Sequence, residues 1–398
     1  FFFKQKTAYE ISTRDWSSDV CSSDLPMRIG VPKEIKDHED RVGLVPSSVA
    51  ELVAHGHEVL IEKGAGKGAG IADRDFLKAG AQLVEGADAV WSAAEMIVKV
   101  KEPLAVERKK LRADQLLFTY LHLAPDPEQT KDLVESGATC IAYETVTSAT
   151  GGLPLLTPMS EVAGRMAVQV GAHALENASK GRGILLGGVP GVAPAKVVVL
   201  GGGVSGTHAT TIALGMGADV TVVDRSAEAL RRLNFTFGSR LKTAFSTRDT
   251  IAELVAEADL VIGTVLIPGA EAPKLITRPM LKTMKRGSVI VDVAIDQGGC
   301  AETSRATTHS RPTFVVDGVV HYCVANMPGG VARTSTFALA NATLPFALAL
   351  ADKGWRKAIA EDPHLANGLN VHAGRVTHPA VAAALGYDYL PTTRALAA

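Results

Sequence analysis

The stretch from Lys196 to Asp224 constrains the fold of this 398-residue chain more than any other. Lys196-Val197-Val198-Val199-Leu200 is a β-branched run too apolar to face water, as a central parallel strand requires. It leads into Gly201-Gly202-Gly203-Val204-Ser205-Gly206, which matches G-x-G-x-x-G at Gly201, Gly203 and Gly206. A helical pattern follows with Ala209, Ile212, Ala213 and Met216, closed by Gly215 and Gly217. A second strand, Asp219–Val223, finishes at Asp224. The first glycine allows the tight turn, the second lets backbone N–H groups approach a pyrophosphate, and the third lets the helix pack close to the strand. Asp224 stands 23 residues after Gly201, where a carboxylate accepts hydrogen bonds from the adenine-ribose hydroxyls. A bland glycine turn is the alternative, and the full strand–turn–helix–strand–acid order argues against it. Arg225 could pair with a 2′-phosphate, but the adjacent Asp224 would repel that group. NAD is therefore preferred over NADP, and Arg225 reads as a solvated side chain.

The rest of the chain alternates strand and helix signals. Arg28–Pro32, His57–Ile61, Met96–Val100 and Leu116–Leu123 read as strands, and Pro46-Ser47-Ser48 offers an N-cap to the apolar spacing of Val49, Leu52 and Val53. Leu260–Gly263 and Ser288–Val293 extend the central domain. This alternation predicts an α/β fold with parallel sheets covered by helices. Residues just past the carboxyl ends of such strands line the ligand crevice, which points to Asp296 in Ala294–Gly299; a turn or N-cap aspartate is an equal reading. Lys99 and Lys101 lie two apart on an apolar strand and share a face that meets either solvent or an anion, and the residues alone favour solvent. His122 in Leu121-His122-Leu123 reads first as a satisfied core histidine. Arg41 is either a local salt-bridge partner or a carboxylate clamp.

Composition narrows the function. Forty-one basic against 42 acidic residues give a net charge of -1, which offers no electrostatic case for nucleic acid or a membrane surface. Cys21, Cys140, Cys300 and Cys323 are too scattered for a disulfide framework or a zinc site, and they point to a reducing, cytoplasmic setting. The most apolar stretch, Phe337–Ala351, is interrupted by Asn341, Thr343 and Pro345 and falls short of the ~20 residues a bilayer needs, so a buried or domain-joining helix is expected. Residues 1–26 carry no hydrophobic period and resemble a translated sequencing adapter. They are expected to be a non-native extension, with the natural chain starting at Met27.

From Met27 to about Leu390 the chain resembles alanine dehydrogenase, the NAD-dependent amino-acid oxidoreductase. The resemblance rests on MRIGVPKEIK…RVGLVP, HGHEVLIEKGAG, VKVKEP, LFTYLHLA, IAYETV, LPLLTPMSEVAGRMA, GGVPGV, ADLVIGTVLIPGAEAPKL, VDVAIDQGGC and VANMPG. It implies reversible deamination of L-alanine to pyruvate and ammonia with NAD as hydride acceptor. It implies that Arg41 and Lys101 bind the substrate carboxylate, that His122 is the acid/base, and that Asp296 is the second catalytic residue. Ser160, Gly201, Gly203, Val204, Ser205, Gly206, Asp224, Ser246, Val265, Leu266, Val293, Asp296, Arg305, Asn326 and Met327 would contact the nucleotide. Ala229 departs from members with a basic residue there, which bears on cofactor affinity. The expected architecture is two Rossmann-like domains with doubly wound sheets. The catalytic domain would take residues 27–155 plus 334–398 and the NAD domain residues 156–333, joined by long helices near Met159–Lys180 and Thr336–Lys353. The resemblance also implies a homohexamer. The alternatives are a silent NAD(H)-binding sensor, which would have lost some of Arg41, Lys101, His122 and Asp296, or a transhydrogenase-like nucleotide-binding subunit.

Overall fold

The structure, a computed structural model, describes residues 26–265 and 272–397. The adapter-like segment (Pro26 excepted) and Leu266 lie outside the described residues. Apolar, β-branched segments form the strands. They are β1 (Arg28–Val31), β2 (Glu58–Glu62), β3 (Gln82–Val84), β4 (Met96–Val98), β5 (Leu116–Thr119), β6 (Thr139–Ala142), β7 (Lys196–Leu200) and β8 (Asp219–Asp224). They continue as β9 (Leu241–Phe245), β10 (Leu260–Gly263), β11 (Val289–Asp292), β12 (Thr313–Val316), β13 (Val319–Tyr322), β14 (Leu369–His372) and β15 (Arg375–Val376).

Among the described residues these strands make two sheets, ordered β15-β14-β6-β5-β4-β1-β2-β3 and β12-β13-β11-β10-β7-β8-β9. Each contains six parallel strands wound in both directions from its first strand. The chain reverses between β1 and β4 in one sheet and between β7 and β10 in the other. β14 adds antiparallel to β6, and β12 adds antiparallel to β13. In such sheets the ligand crevice opens outside the carboxyl ends of the strands, at the reversal. That single rule dictates where the functional loops of both sheets must be.

Helices Thr157–Ala174 and Ala332–Glu361 connect the two sheets. The first ends short of the expected Lys180, where a 3-10 turn takes over at Asn177–Ser179. The second is longer than expected and is interrupted at Gly354 (φ 70°). Among the described residues, Met327–Glu361 is the one helical stretch long and apolar enough to cross a membrane by length and composition. Its Leu339, Ala340, Ala347 and Leu350 are buried in the core of the first sheet with Ile29, Val31 and Phe118, so that apolar surface is consumed by packing. The expected serine cap before Val49 is not made. Pro46 occupies the first helical position and Val45 precedes it, because proline's fixed φ starts a helix without needing the lost N–H.

Two close backbone contacts beside the glycine turn depend on glycine. A Cβ on Gly164 would sit 2.1 Å from the Ser205 carbonyl oxygen, and one on Gly206 would sit 1.8 Å from that of Gly201. Gly206 therefore lets the helix Val204–Gly215 begin directly against the end of β7. Gly206→Ala is expected to cost about 1–3 kcal/mol of stability through overpacking against rigid backbone, read as a lower urea midpoint at unchanged slope.

Candidate active site

Loops leaving the carboxyl ends of the strands converge from both sheets on one cleft with two adjoining cavities. The larger, about 560 Å³, lies over the glycine turn and is lined by Ser160, Gly201, Gly203, Val204, Ser205, Asp224, Arg225, Ser246, Thr264 and Val265, among others. Gly201 has φ 105°, open to glycine but strained for other residues. An added Cβ at Gly203 would meet nothing within 4 Å, so its backbone faces open cavity. No side chain caps the helix that starts at Val204, which leaves its first N–H groups and its positive dipole end free for an anion. Asp224 ends β8 and accepts from the Gly202 N–H (2.6 Å) and the Ser226 N–H (2.7 Å). The carboxylate is thus fixed beside the turn. These features fit a dinucleotide pyrophosphate over the helix end and a ribose at Asp224. Arg225, read as merely solvated, lies on the cavity wall as well as being exposed.

The smaller cavity, about 190 Å³, gathers Arg41, Lys101, Tyr120, His122, Met159, Ser160, Val265, Val293, Asp296, Gln297 and Asn326. Residues far apart in sequence meet because β1, β4 and β5 deliver Arg41, Lys101 and His122, while β11 and β13 deliver Asp296 and Asn326. Of the two roles weighed for Arg41, the salt-bridge role is present, and the residue also lines the cavity. It is buried, and its Nε and Nη2 each donate to Glu39 at 2.6 Å, while Nη2 also donates to Asn326 Oδ1 at 2.8 Å. Nη1 lies 3.1 Å from Met159 Sδ, on the cavity side. Burial works against both charges, yet hydrogen bonding to Arg41 and its charge hold the Glu39 carboxyl below its ordinary range.

The solvated reading of Lys99 is overturned. Its side chain is fully buried, with Nζ donating to Glu34 Oε2 and Glu107 Oε1, both at 2.8 Å. The strand had been expected to run to Val100, but β4 ends at Val98, and the residues beyond it turn onto this ion cluster. Glu34 Oε1 also accepts the N–H groups of Val100 (2.7 Å) and Lys101 (3.2 Å). Burial is the dominant effect on Glu34 and pushes its carboxyl up despite Lys99. Lys101, one residue on from this anchor, reaches the cavity. Sequence reasoning missed both partners: Glu34 is 65 residues away, and Glu107, eight residues on, lies in a separate element with no shared strand or helix period to mark the pairing.

His122 is half exposed rather than a core residue, and its backbone is left-handed (φ 51°). The strand had been expected to continue to Leu123, but β5 stops at Thr119. Glu144, following β6, accepts the His122 N–H (2.6 Å) and the Leu121 N–H (3.2 Å), which holds the unusual conformation. Glu144 Oε1 lies 3.9 Å from His122 Nδ1, and the imidazole stacks on Tyr120 at 5.8 Å between centroids. Asp296 sits in the 3-10 turn Val293–Gln297, whose start is capped by the buried Asp292 accepting from the Ala294 N–H.

Not every expected nucleotide contact lines the cleft. Arg305 is exposed and stacks on Phe314 at 4.2 Å, and Met327 is buried in the core of the second sheet; neither lines these two cavities. Gly206 lies beneath the wall rather than on it.

The alanine dehydrogenase/PNT N-terminal domain profile matches residues 30–163, and the corresponding C-terminal domain profile matches residues 167–379. An alanine dehydrogenase of Halomonas elongata is 64% identical over 364 residues, covering 92% of this chain and 98% of the relative. A solved L-alanine dehydrogenase superposes with a TM-score of 0.88 at 56% identity, covering 90% of this chain and 99% of that one. A transhydrogenase of Sinorhizobium meliloti superposes with a TM-score of 0.76 at 29% identity, covering 89% and 99%.

Replacing Glu39 by Gln leaves the buried Arg41 without its counter-charge and is expected to cost about 3–5 kcal/mol. Because the Glu39 carboxyl is held below its ordinary 4.5 when folded, the wild type loses this contribution as pH falls below that value. Urea unfolding across that range should show the loss in the wild type and a flatter profile in Glu39→Gln.

Proposed function

The chain belongs to the alanine dehydrogenase/PNT family, and from that premise we propose that it catalyses the reversible, NAD-dependent oxidative deamination of L-alanine to pyruvate and ammonia. The observation that carries this reading is that Arg41, Lys101, His122 and Asp296 line one cavity opening onto the nucleotide cleft. A silent nucleotide-binding sensor has no need of that set, and the transhydrogenase resemblance is the weaker one, at 29% against 56% identity.

NAD bound over Gly201–Ser205, with its ribose at Asp224, supplies the hydride acceptor. The chain's own residues do the rest. Lys101 and the inward Nη1 of Arg41 hold the substrate carboxylate and thereby orient Cα, chiefly a positioning effect. His122, kept at the cavity mouth by Glu144, takes a proton from water as it adds to the iminium carbon and returns it to the departing nitrogen. Asp296 offsets the positive charge that develops on that nitrogen. The domain assignment that goes with this is substrate binding by residues 27–155 plus 334–398 and nucleotide binding by 156–333. It is supported by β14 and β15 completing the first sheet. A cytoplasmic setting is supported by Cys140, Cys300 and Cys323 being free and buried.

We also propose self-association into a homo-oligomer, a hexamer by family resemblance. Its support is an exposed apolar hairpin in which Val189 and Val192 pair through their backbones, with Leu185 beside them. Light scattering on Val189→Glu/Val192→Glu should report a smaller particle than wild type with unchanged circular dichroism.

Turnover is tested with protein starting at Met27, L-alanine and NAD at alkaline pH, beside serine, NADP and no-substrate controls. Formation of NADH with alanine and NAD is expected, and His122→Ala should lower kcat by about 10²–10⁴-fold while nucleotide binding persists. Tight nucleotide binding without amino-acid oxidation would replace this reading with the sensor or transhydrogenase-like one.

A further inference from the structure

Lys101 lines the smaller cavity with Arg41, and its charge is not isolated. Its Nζ lies 3.8 Å from Oε2 of the next residue, Glu102, and Oε1 of that carboxylate accepts from Lys36 Nζ. Glu102 Oε2 is buried without a hydrogen bond, and neither Glu102 nor Lys36 lines either cavity of the cleft. Both therefore act on a ligand there only through Lys101. Burial works against the Glu102 charge, yet the charge of Lys101 and the hydrogen bond from Lys36 hold its carboxyl below the ordinary range. The backbone fixes this arrangement. The Lys101 N–H donates to Glu34 Oε1 at 3.2 Å, and Pro103 restricts the conformation of Glu102. The Lys36 carbonyl accepts the Glu39 N–H at 3.1 Å, so Lys36 opens the turn that carries Glu39 and Arg41.

The neighbouring charges do not cancel in the same way. Glu39 matches Arg41, and Lys99 is divided between Glu107 and Glu34, whose carboxyl burial pushes up toward its neutral form. Lys36 and Lys101 instead bring two ammonium groups to the single carboxylate of Glu102, which leaves one positive charge unmatched. A ligand with one carboxylate supplies the missing counter-charge at Lys101. Without Lys36, Glu102 would serve Lys101 alone, and an incoming carboxylate would have to compete with it. We propose that Lys36, by engaging Glu102, keeps Lys101 available to the substrate carboxylate and so sets the affinity for the oxo and amino acids without touching either. This makes Lys36 a positioning residue, and it rests on the deamination reading above.

The test is reductive amination of pyruvate by wild type, Lys36→Met, Lys36→Arg and the double variant Lys36→Met/Glu102→Gln. All three leave the Lys36 carbonyl in place. NADH affinity is followed separately by fluorescence, and folding by circular dichroism. In Lys36→Met the pyruvate KM should rise about tenfold, on the order of one charge-assisted hydrogen bond. Its kcat should stay within about twofold, the pattern of lost carboxylate binding rather than lost active protein. Lys36→Arg should return the KM to within about threefold of wild type, since it restores the charge. So should the double variant, roughly threefold at most from wild type, because the competing carboxylate goes with the lysine. Ammonium KM and NADH Kd should hardly move. An unchanged pyruvate KM in Lys36→Met overturns the proposal, and so does a fall in kcat alone, which marks a purely structural role. A KM still raised in the double variant overturns it too, by showing that Lys36 does not act through Glu102. Should Lys36→Met not fold, Lys36→Gln removes the same charge and must raise the pyruvate KM in the same way. A wild type that does not turn over alanine or pyruvate overturns the deamination reading as well, whereas the other outcomes leave it standing.

Discussion

The cleft depends on a ring of three side chains that spans it. Glu39 and Arg41 come from the loop after β1, and Asn326 from the segment after β13. Arg41 donates to both others, and Asn326 Nδ2 donates back to Glu39 at 2.9 Å. Planar guanidinium and carboxylate meet in parallel, so the geometry is specific as well as strong. Once desolvated, neither charge tolerates the loss of the other. The ring therefore fixes the distance between the facing edges of the two sheets at the point where the smaller cavity forms. It also leaves Nη1 turned toward Met159 and the cavity as the part of Arg41 available to a ligand.

The nucleotide half of the site was legible in the sequence because its determinants are local. Strand, glycine turn, helix, second strand and Asp224 occupy one continuous stretch, and each residue type answers a constraint imposed by its neighbours. Apart from Asp296, which the strand-end rule pointed to, the smaller cavity was legible only through family resemblance. Arg41, Lys101 and His122 each have a bland explanation where they stand, and what distinguishes them is that three different strand ends aim at one point. Lys99 is the sharpest case: periodicity put it on the same face as Lys101, yet the strand ends at Val98 and the two ammonium groups have opposite fates. Glu34 and Glu107 capture the first in the core, while the second lies 3.8 Å from Glu102 and lines the cavity. Arg305 and Met327 show the converse. Met327 lies between Asn326 and Pro328 of the cleft yet packs into the second core, and Arg305 stacks on Phe314 instead of lining either cavity.

Strand ends explain the backbone at His122 in the same way. A left-handed histidine is costly by itself, and it persists because surrounding structure over-determines it. Glu144 supplies that constraint by taking two consecutive N–H groups after β5 stops. The same carboxylate then lies near the imidazole, so one residue sets both where the histidine points and the field it experiences.

The polarity of the smaller cavity follows from which sheet furnishes each group. The first sheet brings the cations, Arg41 and Lys101; the second brings the carboxylate of Asp296. An α-amino acid carries its carboxylate and its nitrogen on one shared carbon, so opposed edges of opposite character can hold its two ends at once. The carbon between them is then left facing the wall shared with the larger cavity, where Ser160 and Val265 line both spaces. Because the two sets of ligands ride on separate sheets, the geometry at that carbon is only as good as the contact between sheets. This is why a buried, bidentate ring, rather than a surface ion pair, sits at their junction.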